Sequence, residues 1–74
     1  MPATIVRSLT KQAQNVRASF ATAVRERRRQ LGITQEELGW RAGLHRTYIT
    51  DIERGARNLS LESIEKLGRA LEAP

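Results

Sequence analysis

Between Thr34 and Gly55 the chain carries two short amphipathic segments hinged at one glycine, and this unit restricts the fold more than any other feature. Thr34 and Glu37, three residues apart, form a capping box that opens the first segment as a helix. Leu38 and Ala42 lie one turn apart and face inward, while Gly39 removes side-chain bulk where a second helix can cross closely. Gly43 then supplies the left-handed backbone of a tight turn, and Leu44 plugs its corner. In the second segment Ile49 and Ile52 point inward. At about 100° per residue, Arg46, Thr47, Thr50, Asp51 and Arg54 fall on the opposite side. The pattern predicts helices over residues 34–42 and 45–54.

Helical periodicity dominates the remainder, and no stretch alternates convincingly as a strand. Phe20, Val24, Arg28 and Leu31 form one stripe of a helix that stops before Gly32. Ser60 can cap a last helix running through Leu71, with Leu61, Ile64, Leu67 and Leu71 on one face. Glu62–Lys66 and Glu65–Arg69 support that helix as pairs four residues apart. Residues 4–17 are less decisive. Ile5, Leu9, Ala13 and Val16 can continue the apolar stripe towards Phe20, but Thr4, Ser8, Thr10 and Asn15 weaken it. A frayed basic arm and an additional helix both satisfy this segment. As a helix it can pack onto the last helix within one chain or across a two-fold axis. The expected fold is all-α, a compact bundle of four to five short helices. Residues 1–18 form an N-terminal segment, and 19–74 one domain around the 34–55 unit.

Arg28 interrupts an apolar stripe. It either snorkels its guanidinium to water or forms a partly buried ion pair. Glu53 is a suitable partner for the second arrangement, at the inner edge of the third helix and about 40° from Ile49 in projection.

With 74 residues and no cysteine, one small core is expected, without disulfides or thiolate metal sites. A lone His45 brings no ligand set, so neither metal nor cofactor is expected. No apolar run reaches membrane-spanning length and no leader opens the chain, so a cytoplasmic protein is the default. The net charge of +5 is unevenly placed. Residues 1–30 hold seven Arg or Lys against Glu26 alone, whereas residues 31–74 hold six basic against seven acidic side chains. Such an excess either solvates a face or attracts a polyanion. With only three aromatics and no amphipathic basic anchor, nucleic acid ranks above membrane. A face of Arg and hydroxyl side chains on the 45–54 helix suits base edges and phosphates in a major groove.

From Val24 to Leu71 the sequence resembles the Cro/C1-type (XRE-like) helix-turn-helix regulators, which include phage repressors. Its run ITQEELGWRAGLHRTYITDIERGARN looks most like the controller proteins of restriction–modification systems. The resemblance implies a lambda-repressor-like architecture and a two-fold dimer on a pseudo-palindromic DNA operator, in a prokaryote or phage. It implies that Arg46, Thr47 and Thr50 read bases, Thr50 through a hydroxyl or a contact with a thymine methyl. Gln35, Arg54, Arg57 and Asn58 match positions that hold the sugar-phosphate backbone, and Arg28 with Glu53 matches a structural ion pair. His45 stands where the family often caps the third helix with Ser, Thr or Asp. As a poorer cap it is expected to reach a phosphate, as is the Tyr48 hydroxyl. Asp51 is expected to orient Arg46 or Arg54. The family's fifth helix, often a dimer element, would begin at Glu72-Ala73-Pro74.

The leading expectation is therefore a sequence-specific transcription regulator on double-stranded DNA, which would touch RNA polymerase if it activates. The alternative is an antitoxin-type interaction module that autoregulates through the same unit while another surface binds a toxin. An enzyme fails on inventory, because one histidine, no cysteine and mostly paired acids leave no nucleophile–base pair.

Overall fold

A computed structural model describes the backbone of residues 3–72 and the side chains of residues 7–72. It contains four helices in the order α1 (Ala3–Gln30), α2 (Gln35–Ala42), α3 (Arg46–Glu53) and α4 (Leu61–Ala70). All described regular structure is helical. No helix among the described residues is long and apolar enough to cross a membrane.

The N-terminal segment joins helix one without a break, so α1 is a single helix of 28 residues. At 1.5 Å per residue it is about 42 Å long, and it sets the long dimension of a molecule measuring 45 × 22 × 20 Å. Its second half supplies the buried contacts with the bundle. Ala21 and Val24 are buried there, with Phe20 and Leu31 partly so, whereas Leu9 and Val16 stay exposed. The side chain of Ile5 lies outside the described residues.

Helices α2, α3 and α4 close the core around Leu38, Ile49, Ile52 and Leu67, each at most 2% exposed. Fully burying side chains of this size is worth roughly 1.5–3 kcal/mol apiece, which is what holds such short helices in place. The expected caps form. Thr34 accepts the amide of Glu37 and Ser60 that of Ser63, each at 3.0 Å. Gly43, at φ +68°, ends α2 by turning left-handed. The Leu44 amide then reaches back to the Gly39 carbonyl at 2.8 Å, closing the corner between α2 and α3.

The apolar face of α4 differs from the sequence expectation. Leu67 and Leu71 are buried, but Ile64 is 37% and Leu61 86% exposed. Six residues at 100° put Leu61 about 120° from Leu67, too far round the helix to share its contacts. Ser63 takes the inward position instead. Its hydroxyl is compatible with burial because it hydrogen-bonds to both Tyr48 and Ser60.

Candidate nucleic-acid interface

Ile49 and Ile52 anchor α3 from beneath, so its other side faces solvent as one row. Arg46 and Thr47 are exposed at its start, Thr50 and Asp51 are half-buried along it, and Arg54 is exposed at its end. Arg46 is held loosely, its guanidinium 3.5 Å from the exposed carboxylate of Glu36 on α2. An exposed pair of this kind contributes little and opens easily, leaving the five guanidinium donors available.

His45 corrects the expectation that it would be a poor cap. Its Nδ1 accepts the amide of Thr47 at 3.0 Å, so it is the N-cap of α3. A neutral imidazole supplies the same acceptor that a Ser or Asp would, at the same backbone donor. With Nδ1 occupied, only its Nε2 edge is left for a ligand.

Thr50 is also more constrained than its sequence position suggested. Its hydroxyl lies 3.0 Å from the Gln35 side-chain oxygen and 3.1 Å from the Arg46 carbonyl. The hydroxyl is therefore turned to the protein, and the methyl is the group α3 can offer outward. Gln35 in turn donates to Glu53 at 3.2 Å, so both ends of its amide are engaged. One N–H remains for a phosphate, because a primary amide carries two.

Asp51 does not reach Arg46. It holds Arg57 at 2.9 Å and lies 3.9 Å from Arg54, orienting the loop after α3 rather than the start of the helix. The Arg57 guanidinium also stacks 4.6 Å from the centre of the Tyr48 ring. The Tyr48 hydroxyl, expected on a phosphate, is 2.9 Å from Ser63 Oγ. Asn58 is tied from outside the unit, accepting from Arg17 of α1 at 2.9 Å.

Beneath this face lies a bidentate ion pair. Arg28 donates from Nε to one Glu53 carboxylate oxygen at 2.7 Å and from Nη2 to the other at 3.0 Å. Their side chains are 13% and 3% exposed. The third donor, Nη1, reaches the Ile33 carbonyl at 3.0 Å. Arg25 binds the backbone carbonyl of Glu53 at 3.1 Å. Glu53 thus connects α1, α2 and α3 and sets the angle at which α3 is presented. Hydrogen bonding to Glu53 raises the Arg28 pKa above its ordinary value, with burial opposing and the carboxylate charge assisting. A raised basic pKa favours the fold fully below the unfolded value and is lost only as pH rises through the folded one. For arginine that window lies above ordinary working pH.

Sequence reasoning missed Arg17, Arg25 and Ser63 as supports of this face. Arg25 stands three residues before Arg28, on the same side of α1, and that spacing was the available signal. Nothing local marks Arg17 or Ser63, whose partners are 41 and 15 residues away.

Comparison with known proteins identifies the arrangement. The helix-turn-helix family model matches residues 24–74. Control protein C.BamHI of Bacillus amyloliquefaciens is 50% identical over 58 residues, covering 77% of this chain and 72% of that protein. Among solved structures, the restriction–modification controller protein C.AhdI from Aeromonas hydrophila superposes with a TM-score of 0.78 at 39% identity. That match covers 82% of this chain and 88% of the other. The controller protein C.Esp1396I, solved as a tetramer in complex with its natural 35-base-pair operator, superposes with a TM-score of 0.76 at 36% identity. It covers 78% of this chain and 76% of its own.

Proposed function

We infer function from family and exposed face together: the chain belongs to the Cro/C1-type (XRE-like) helix-turn-helix family, and its α3 is equipped to read DNA. It is a sequence-specific transcription regulator of double-stranded DNA, similar to the controller proteins of restriction–modification systems. It binds a pseudo-palindromic operator as a dimer, with α3 in the major groove. The carrying observation is the row of Arg46, Thr47 and Thr50 above the buried Ile49 and Ile52, flanked by Arg54 and Arg57. The antitoxin reading is not favoured, because the relatives are regulators and controller proteins.

Within this function we assign the residues as follows. Arg46, Thr47 and Thr50 read bases, Thr50 through its methyl. Arg54, Arg57 and Asn58 hold phosphates, with Gln35 and the Nε2 edge of His45 beside them. Residues 19–74 are the DNA-binding domain and 1–18 its extension. Among the described residues no nucleophile–base pair offers itself, and we assign no catalytic role. The site of action is the cytoplasm, on nucleoid or phage DNA.

Arg46→Ala should cost roughly 1–3 kcal/mol on the cognate operator and flatten discrimination at one base pair per half-site. The guanidinium matches guanine O6 and N7 bidentately, and alanine offers nothing in its place. Binding to a library of singly substituted operators measures this, and unchanged preference at every position refutes the assignment. Arg57→Ala should instead weaken cognate and random duplexes alike. The slope of log affinity against log salt should fall by about 1 per protomer. An altered sequence preference with the salt slope intact would show that Arg57 reads bases.

A further inference from the structure

Arg7, Lys11, Ala18 and Arg25 lie on one side of α1, within about 40° of one another at 100° per residue. The C-terminal part of that stripe meets the end of α3. Arg25 donates to the Glu53 carbonyl at 3.1 Å, and a Cβ at Gly55 would stand 3.9 Å from the Ala18 Cα. Beside it Arg17 donates to Asn58 at 2.9 Å. Ala13, Val16 and Arg17 border a shallow cleft with Asn58 and Leu59. The middle of α1 is thus fixed against the loop that carries Arg57 and Asn58. Arg7 and Lys11 continue the stripe past that loop. At 1.5 Å per residue, Lys11 and Arg7 stand about 10 and 16 Å beyond Ala18 along the helix.

Charge selects the occupant. Residues 1–25 contain Arg7, Lys11, Arg17 and Arg25 and no acidic side chain. Arg7 and Lys11 are exposed, and among the described residues no carboxylate pairs with either. Arg54 and Arg57 must first leave Asp51, whereas no such ion pair has to open before Arg7 and Lys11 meet an anion. The exposed Leu9 and Val16 point about 140–180° away, so the basic side itself is polar. A helix of this kind also suits an anionic membrane. Its alignment with the loop of Arg57 and Asn58 selects DNA instead.

We propose that the projecting half of α1 is a second DNA-contacting element, in which Arg7 and Lys11 bind backbone phosphates flanking the half-site that α3 reads. A continuous helix carries these charges, so they stand at a set distance from Arg57 and Asn58 and lose little freedom on binding. Phosphates carry no sequence information. The stripe therefore adds affinity and lengthens the footprint without changing which bases are preferred. The proposal rests on the DNA-binding reading and extends it to residues outside 24–74, the part that the family model matches.

The test titrates a fluorescein-labelled, mixed-sequence duplex of about 40 base pairs, long enough for two half-sites and their flanks. The wild-type chain is compared with the double variant Arg7→Gln, Lys11→Gln, in which glutamine keeps the helix propensity of α1. Each phosphate contact contributes about 0.9 to the slope of log affinity against log salt. The variant should lower that slope by about 2 per protomer. Between about 50 and 200 mM salt the wild type should lose about tenfold more affinity per protomer than the variant. Lys66→Gln with Arg69→Gln removes the same charge from α4 and should leave the slope unaltered. An unaltered slope in the α1 variant, or an equal fall in the α4 control, would overturn the proposal. Loss of binding to phosphatidylserine vesicles with the DNA slope intact would overturn it in favour of a membrane. Competition by singly substituted duplexes separates this from the function. Sequence preference retained with an unaltered slope removes the stripe alone. A wild type without sequence preference removes the regulator reading, while a slope lowered in the α1 variant still puts Arg7 and Lys11 on phosphate.

Discussion

Glu53→Ala is expected to destabilise the fold by about 3 kcal/mol. The carboxylate is buried and receives Arg28 at 2.7 and 3.0 Å and Gln35 at 3.2 Å. Removing it leaves the Arg28 guanidinium, 13% exposed, with one protein partner at the Ile33 carbonyl. Two of its donor positions are then poorly solvated and unpaired, which costs more than the intact pair contributes. In a domain of this size 1 kcal/mol moves Tm by roughly 4–8 °C, so a drop of about 12–24 °C is expected in calorimetry. Replacing both partners by apolar residues, as in Arg28→Met with Glu53→Leu, should recover much of the loss. Arg46→Ala in the same assay should leave Tm nearly unchanged. A neutral Glu53→Ala melt would show that Arg28 escapes to water.

Gly39→Ala should destabilise the protein as well, against what helix propensity predicts. Alanine is favoured over glycine inside a helix by about 1 kcal/mol. Here a Cβ at residue 39 would stand 2.6 Å from the Leu44 carbonyl oxygen and 3.4 Å from the Arg46 amide nitrogen. Both are backbone atoms of the turn into α3, so relief requires α3 to shift. An overpacking penalty near the upper end of the usual range, about 3 kcal/mol, leaves a net loss of about 2 kcal/mol. Operator affinity should fall further than stability accounts for, since the displaced element is the one that reads DNA. A variant that melts at or above the wild-type temperature would show that α2 and α3 can separate without loss.

Much of this was legible in the chain. The capping residues Thr34 and Ser60 and the turn at Gly43 act through backbone groups three to five residues away, so local spelling identified them. The buried row of Leu38, Ala42, Ile49 and Ile52 followed from helical periodicity alone. The partnership of Arg28 and Glu53 was suggested by an arginine in an apolar stripe and a glutamate at an inner helix edge. Its bidentate form, and the attachment of Gln35 and Arg25 to the same residue, were not visible.

The contacts that depend on long separations went the other way. Periodicity placed Leu61 and Ile64 with Leu67, but the neighbours of α4 cover only the side bearing Ser63, Leu67 and Leu71. Tyr48 and Thr50 were assigned outward-facing hydroxyls, and the fold turns them to Ser63 and Gln35. His45 looked like a weak cap by residue type, yet its ring nitrogen meets the Thr47 amide. For the segments after residue 18 the sequence by itself determined which are helical, where they stop and which face of each is apolar, because these are set by interactions within one or two turns. For residues 4–17 it left an arm and a helix both open. Only the tertiary structure decided how much of each apolar face is covered and which polar atoms remain free. Both are set by partners far along the chain, whose positions exist only once the helices have packed.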